Sequence, residues 1–263
     1  VTLLDAGRQV PLVDHAGSAE HEAWTCTFGP DEPGGWGAHV HEQHQLVWTA
    51  AGSARVTAGR RSWVLPASRA LFVPGGVPHD VVLRVPAALH CLYVWPAACP
   101  LGWTEPALVT VSPLLAALLR SLGGPGGSSP VAAQARDVVF HELAAARLPD
   151  DGLPVPTDSR AAWVAAQLVE QPADETPLAG WAQRLRVGES TLRRAFVAGT
   201  GLPFSEWRSR ARLQAALPLL ERGLPVAAVA RQVGYGSVNG FTAAFRRLHG
   251  STPGSWRRAG GGS

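Results

Sequence analysis

Residues 178–196 read LAGWAQRL, RVG, ESTLRRAF, and residues 226–245 read VAAVARQV, GYG, SVNGFTAAF, so the second stretch repeats the first. Each ends in a Phe from which one spacing follows: Phe196-x4-Gly201-x5-Trp207 and Phe245-x4-Gly250-x5-Trp256. A repeat on this scale marks two copies of one supersecondary unit. The unit reads as a helix, a tight turn and a second helix. Ala182 and Ala230 are small where two helices cross closely. Gly188, and Gly234 or Gly236, suit the turn, where a positive φ costs glycine least. Leu192 with Phe196, and Phe241 with Phe245, stand four apart and share one buried face. That leaves Ser190, Arg193 and Arg194 outward on one second helix, and Val238, Asn239, Thr242 and Arg246 outward on the other. Helices furnished this way fit the major groove of double-stranded DNA, where Arg reads guanine and Asn reads adenine.

Between the copies, Ser205–Arg222 reads as one long helix carrying Arg208, Arg210 and Arg212. Pro218 removes an internal hydrogen bond and is expected to kink or shorten it. The charge is uneven along the chain. Residues 1–158 hold nine Arg against fourteen acids, a net −5, whereas residues 159–263 hold fourteen against six, a net +8. Only the second part is suited to a polyanion. All 23 basic residues are arginines and Met is absent, the bias of a GC-rich genome, so arginine content alone says nothing about DNA.

Across residues 159–258 the text AGWAQRLRVGESTLRRAFVAGTGLPFSEWRSRARLQAAL and PVAAVARQVGYGSVNGFTAAFRRLHGSTPGSWRR resembles the DNA-binding domain of the AraC family of bacterial regulators. The departures are Pro218, the apolar Val238, and Ala243, whose side chain is too short to reach a base. The resemblance implies a tandem helix-turn-helix domain, binding to promoter or operator DNA, and contact with RNA polymerase.

Working outward, PDDGLPVPTD (149–158) reads as a proline-rich linker. Before it, two helical stretches at 113–122 and 131–147 are separated by the breaker GGPGGSSP. The first is richer in leucine than a lone surface helix needs, and the two helices together are a candidate homodimer contact. From about Gln45 to Pro96 the chain alternates apolar and polar residues in short runs broken by Gly and Pro, the pattern of a small barrel or sandwich. The expected fold class is therefore α+β multidomain: a small sensor β-barrel over 1–110, connector helices over 111–148, a linker over 149–158, an all-α tandem helix-turn-helix domain over 159–258 and a disordered tail over 259–263.

Within the barrel, His39-Val40-His41 places two imidazoles on one face of an extended segment, and PGGVPH brings His79 from another strand. Three such imidazoles suit a facial metal triad of Zn, Ni, Co or Fe. The layout resembles the two motifs of cupin barrels, with Gln45 where those often have Glu. The run SWVLPASRALFVPGGVPHDV, with LYVWPAACP and VSPLL, extends the resemblance to a cupin-bearing AraC subfamily. It implies a regulator that responds to a small molecule or a metal ion. The alternative is a metal-dependent cupin oxygenase or isomerase, and Gln45 in place of the carboxylate weighs against it. His15, His21, His90, His141 and His249 read as surface or packing residues, and Trp48, Trp63, Trp95 and Trp103 as core. The odd cysteine count (Cys26, Cys91, Cys99) fits packed thiols in a reducing compartment. No stretch has the length of a membrane span, and the first residues lack a secretory layout, so a cytoplasmic location is expected.

Overall fold

A computed structural model of the chain describes residues 23–28, 35–122 and 130–260. The extreme N-terminal stretch with His15 and His21, most of the GGPGGSSP breaker and the last three residues lie outside these. The described residues divide into two compact units: those between 23 and 59 together with 64–150, and residues 151–260 together with 60–63.

The first unit is built on two long antiparallel strands, β3 (His44–Ala58) and β6 (His79–Val94), paired along nearly their whole length. β1 (Ala23–Phe28) and β2 (Gly35–His39) pair with the two halves of β6. β5 (Arg69–Val73) pairs with β3 and with β7 (Ala107–Thr110). β4 (Arg61–Pro66) lies beside β3 in strand order. Some of the short runs read between Gln45 and Pro96 join into longer strands: residues 45–49 and 54–57 belong to one strand that crosses irregular pairings at Thr49, Ala51 and Ser53. Among the described residues the pairing runs as an open path and not a closed ring.

Alternation gives the sheet two different faces. Leu46, Trp48, Phe72, Leu92 and Val94 form one core cluster with Leu115, Leu119 and Leu122 of α1 (Pro113–Leu122) and Val139, Phe140 and Leu143 of α2 (Pro130–Ala145). Ser112 ties the two helices, capping the α1 amide of Leu115 at 3.0 Å and donating to Glu142 at 2.6 Å. Most of the leucine content of α1 is thus accounted for by packing onto the sheet. Leu114 and Val138 remain exposed. The opposite sheet face carries Gln45, Cys91 and Tyr93.

The second unit is helical. α3 (Ser159–Glu170) starts at Asp158, whose carboxylate accepts from the amides of Arg160 and Ala161 at 3.0 and 3.1 Å. α4 (Leu178–Arg184) and α5 (Glu189–Thr200) form the first repeat, and α7 (Val226–Gln232) and α8 (Val238–His249) the second. α6 (Phe204–Glu221) joins them and α9 (Pro253–Gly260) follows. Two cores result. Trp181, Ala182, Leu192 and Phe196 pack with Phe204, Trp207 and Ala211 from the start of α6. Val229, Ala230, Phe241 and Phe245 pack with Leu213, Leu217 and Leu220 from its end. The repeated Phe-x4-Gly spacing is explained by Gly201 and Gly250, each ending its helix with φ near +72°. Pro218 does not shorten α6, which runs on to Glu221. It falls in the last turn, so only three residues of the helix follow the hydrogen bond it forfeits.

The segment 151–158 is packed into this unit and is no free tether there. Leu153 is in the first core, Trp207 donates to the Pro154 carbonyl at 2.8 Å, and Asp151 faces His249 at 3.2 Å.

Candidate functional site

The two repeats bury matching residues and expose the ones between them. In α5, Leu192 and Phe196 are buried while Ser190, Arg193 and Arg194 are exposed. In α8, Phe241 and Phe245 are buried, Val238, Asn239 and Arg246 are exposed, and Thr242 is half-buried. Of the residues expected to face DNA, all but the half-buried Thr242 are exposed. Arg193 is braced by an ion pair with Glu189 one turn earlier, whereas no partner for Arg194 exists among the described residues. The arginines of α6 serve differently. Arg208 donates to the Thr176 carbonyl, Arg212 to the carbonyls of Pro172 and Asp174, and Arg210 pairs with Glu206. Part of the +8 charge is consequently spent fastening the 171–176 loop.

The two turns differ from the sequence expectation. The positive φ in the second turn is at Gly234 (φ +87°), but in the first it falls on Arg186 (φ +54°), and Gly188 is an ordinary extended cap with φ −69°. Gly234 is required twice over, since a Cβ there would stand 2.8 Å from the Ala173 Cα and from Arg212 Nη2. Ser237 caps α8 through its hydroxyl, which accepts from the Gly240 amide. The matching Gly188 offers α5 no side-chain cap.

In the sheet unit, one nitrogen from each of His39, His41 and His79 lies within 4.8 Å of the others. The pairing of β2 with β6 sets His39 directly against His79. His41 sits in the turn before β3, and the Gly76 amide donates to its carbonyl at 2.8 Å. One device orients all three rings. Each Nδ1 meets a backbone carbonyl two residues away: Gly37 at 2.7 Å, Gln43 at 2.9 Å and Val77 at 2.9 Å. Donation from Nδ1 leaves the Nε2 lone pairs, which is the arrangement that metal-ligating histidines use. Burial pushes the His79 imidazole down to about 4, so it is a neutral lone-pair donor near pH 7.

Gln45 sits among these rings, its amide oxygen 2.7 Å from His79 Nε2 and 3.3 Å from His41 Nε2, its amide nitrogen 3.1 Å from the Tyr93 hydroxyl. An oxygen facing imidazole lone pairs is acceptor against acceptor. Two arrangements resolve it: the amide turned so that its NH2 meets the rings, or a cation shared by the nitrogens and the oxygen. The donor set, three neutral imidazoles and an amide oxygen, fits a nitrogen-preferring divalent ion. Sequence reasoning missed Tyr93, which stands with the packed thiol of Cys91 on the same sheet face as Gln45. Register was the signal, since Gln45 pairs Tyr93 and Cys26 pairs Cys91. Burial pushes the Cys91 thiol up to about 12, keeping it an inert packed thiol. His90 is buried against Trp48, His249 pairs Asp151, and His141 bonds its own helix at Asp137, all packing or surface roles.

Comparison with known proteins closes the assignment. A family described as the AraC-like ligand binding domain matches residues 34–138, and one described as a helix-turn-helix domain matches residues 181–259. The chain belongs to the AraC family. It is a DNA-binding transcription regulator with an AraC-like ligand-binding domain. The HTH-type transcriptional regulator NimR of Escherichia coli is 29% identical over 83% of this chain and 81% of its own length. RipA of Corynebacterium glutamicum, also an HTH-type transcriptional regulator, is 33% identical over 79% of this chain and 60% of its own. The crystal structure of ToxT from Vibrio cholerae aligns over 92% of this chain and 98% of its own, at 12% identity and a TM-score of 0.40. In this AraC-type chain no helix among the described residues is long and apolar enough to cross a membrane.

Proposed function

We propose that this AraC-type regulator reads its operator by placing α5 and α8 in two successive major grooves on one face of the DNA. Ser190, Arg193 and Arg194 act from α5, and Val238, Asn239, Thr242 and Arg246 from α8. The observation that carries this is the exposure of these residues, Thr242 half-buried among them, along the outer sides of two second helices built on one connecting helix. Centres about 34 Å apart, one turn of DNA, are the expected spacing. The test is footprinting with fluorescence anisotropy at fixed salt. Arg194→Ala should weaken binding to every sequence, while Arg193→Ala or Asn239→Ala should relax preference at single base pairs by about 1–3 kcal/mol. Protection of a single groove segment per chain would contradict it.

We further propose that the sheet unit senses a divalent transition metal, Zn, Ni, Co or Fe, held by Nε2 of His39, His41 and His79, with Gln45 as a weak fourth ligand or a partner of bound water. A bound ion supplies fixed positive charge where no carboxylate ligates, and it acts as a signal only by binding two DNA-affinity states unequally. The anchored Nδ1 atoms favour this reading. Elemental analysis of the purified chain, then DNA binding with and without chelator, tests it. Metal-free protein with unchanged operator affinity and a normal response to an organic effector would leave the site to that organic effector. The remaining partners fit an AraC-type regulator in the cytoplasm: RNA polymerase at the promoter, and a second copy of the chain on a repeated half-site, with Leu114 and Val138 as the apolar residues available to it.

A further inference from the structure

α5 and α8 match position by position, because each begins one residue after its cap, Gly188 or Ser237, and buries its fourth and eighth residues. Where α5 presents Glu189, Ser190, Arg193 and Arg194, α8 presents Val238, Asn239, Thr242 and Ala243. The chemistry has changed at every place. α5 offers two guanidinium groups in its first two turns, whereas α8 offers none before Arg246 in its third. Val238 is 41% exposed at the start of α8, outside the core beneath that helix. Gly240 beside it is also exposed and adds no side chain, which leaves Val238 and Asn239 standing proud of the first turn.

We propose that the two units read different base pairs: α5 selects guanine, and α8 selects A·T pairs, with Asn239 on adenine and Val238 packed against a thymine C5-methyl group. This rests on the reading that both helices enter major grooves. The thymine methyl is the apolar feature of that groove, and Asn suits the paired donor and acceptor of adenine. Valine has no polar atom to give, so against a G·C pair it would leave the cytosine amino group and the guanine acceptors dry and unpaired. Apolar contact here acts as selection for A·T and rejection of G·C together. Burying one methyl corresponds to about threefold to fourfold in affinity.

The test begins with selection of random duplex DNA by the full chain at fixed salt. G·C pairs are expected in one half of the site and A·T pairs in the other, about 10 base pairs apart. Thymines of the A·T half are then replaced singly by deoxyuridine, which lacks only the methyl group. The unchanged protein should lose about threefold to fourfold at one contacted thymine, and Val238→Ser, at an exposed position, should abolish that difference. Arg193→Ala should keep the thymine–uracil difference while losing guanine preference. Deoxyuridine tolerated throughout by the unchanged protein, or the same penalty at every thymine in Val238→Ser, overturns the inference. Protection of both grooves without a methyl effect sinks this inference alone, whereas protection of one groove sinks the two-groove reading beneath it.

Discussion

Replacing Arg186 with glycine should stabilise the helical unit, although it removes a charged side chain. Arg186 is exposed and holds φ +54°, the one described residue other than glycine with positive φ. The left-handed conformation costs an L-residue about 1–2 kcal/mol. Glycine escapes that strain but loses about 0.5–1 kcal/mol through its greater freedom in the unfolded chain. The difference is a gain of about 0.5–1 kcal/mol, worth roughly 2–6 °C in Tm for a domain of this size. The second repeat supplies the internal control. Gly234→Ala meets both the strained φ and the 2.8 Å approaches to Ala173 and Arg212, and should cost about 2–4 kcal/mol. Calorimetry of the full chain without DNA reads both. A Tm for Arg186→Gly at or below that of the unchanged protein, with Gly234→Ala tolerated, would refute the conformational argument.

Asp158→Ala removes the cap of α3 and should cost about 1 kcal/mol by denaturant titration. The Asp158 carboxyl is held down at about 2, first by its hydrogen bond from Arg160, so its contribution is complete above the ordinary value of 3.8 and fades as pH falls towards 2; acid titration of the variant against the unchanged chain should show the gap closing there. Gly75→Ala would thrust a Cβ into the Glu42 backbone carbonyl, displacing the turn that carries His41, so both thermal stability and any metal retention measured by elemental analysis should fall. Ala230→Leu overfills the close crossing in the second repeat and should cost about 1–3 kcal/mol, with DNA affinity lost at temperatures where the unchanged chain still binds.

What could be read from sequence was whatever periodicity and repetition encode. The buried faces of α5 and α8 followed from Leu192, Phe196, Phe241 and Phe245 four apart, and the His39–His41 spacing placed two rings that the β2–β6 register then brought to His79. Backbone conformation was less legible. Gly188 seemed the natural owner of the positive φ, yet the turn assigns it to Arg186, because only the path of the chain decides which residue turns left-handed. Pro218 looked disruptive, yet it stands so near the end of α6 that little helix follows it. Tyr93 went unnoticed since its relation to Gln45 is one of strand register, over more than forty intervening residues. On α2, Val138 is exposed while its neighbours Val139 and Phe140 are buried with Leu143, a choice between adjacent apolar residues that composition alone does not make.

Because α6 contributes its first turns to one core and its last turns to the other, it works as a gauge bar. Its 18 residues span about 27 Å. A single residue inserted near Ala211 or Arg212 would carry the second reading head forward by only about 1.5 Å but swing it by about 100° around the bar. On the proposed two-groove reading, operators of this regulator would be gauged in phase more strictly than in distance. A promoter that gained or lost one base pair between its two half-elements could then be followed only by twisting the DNA, not by slack in the protein.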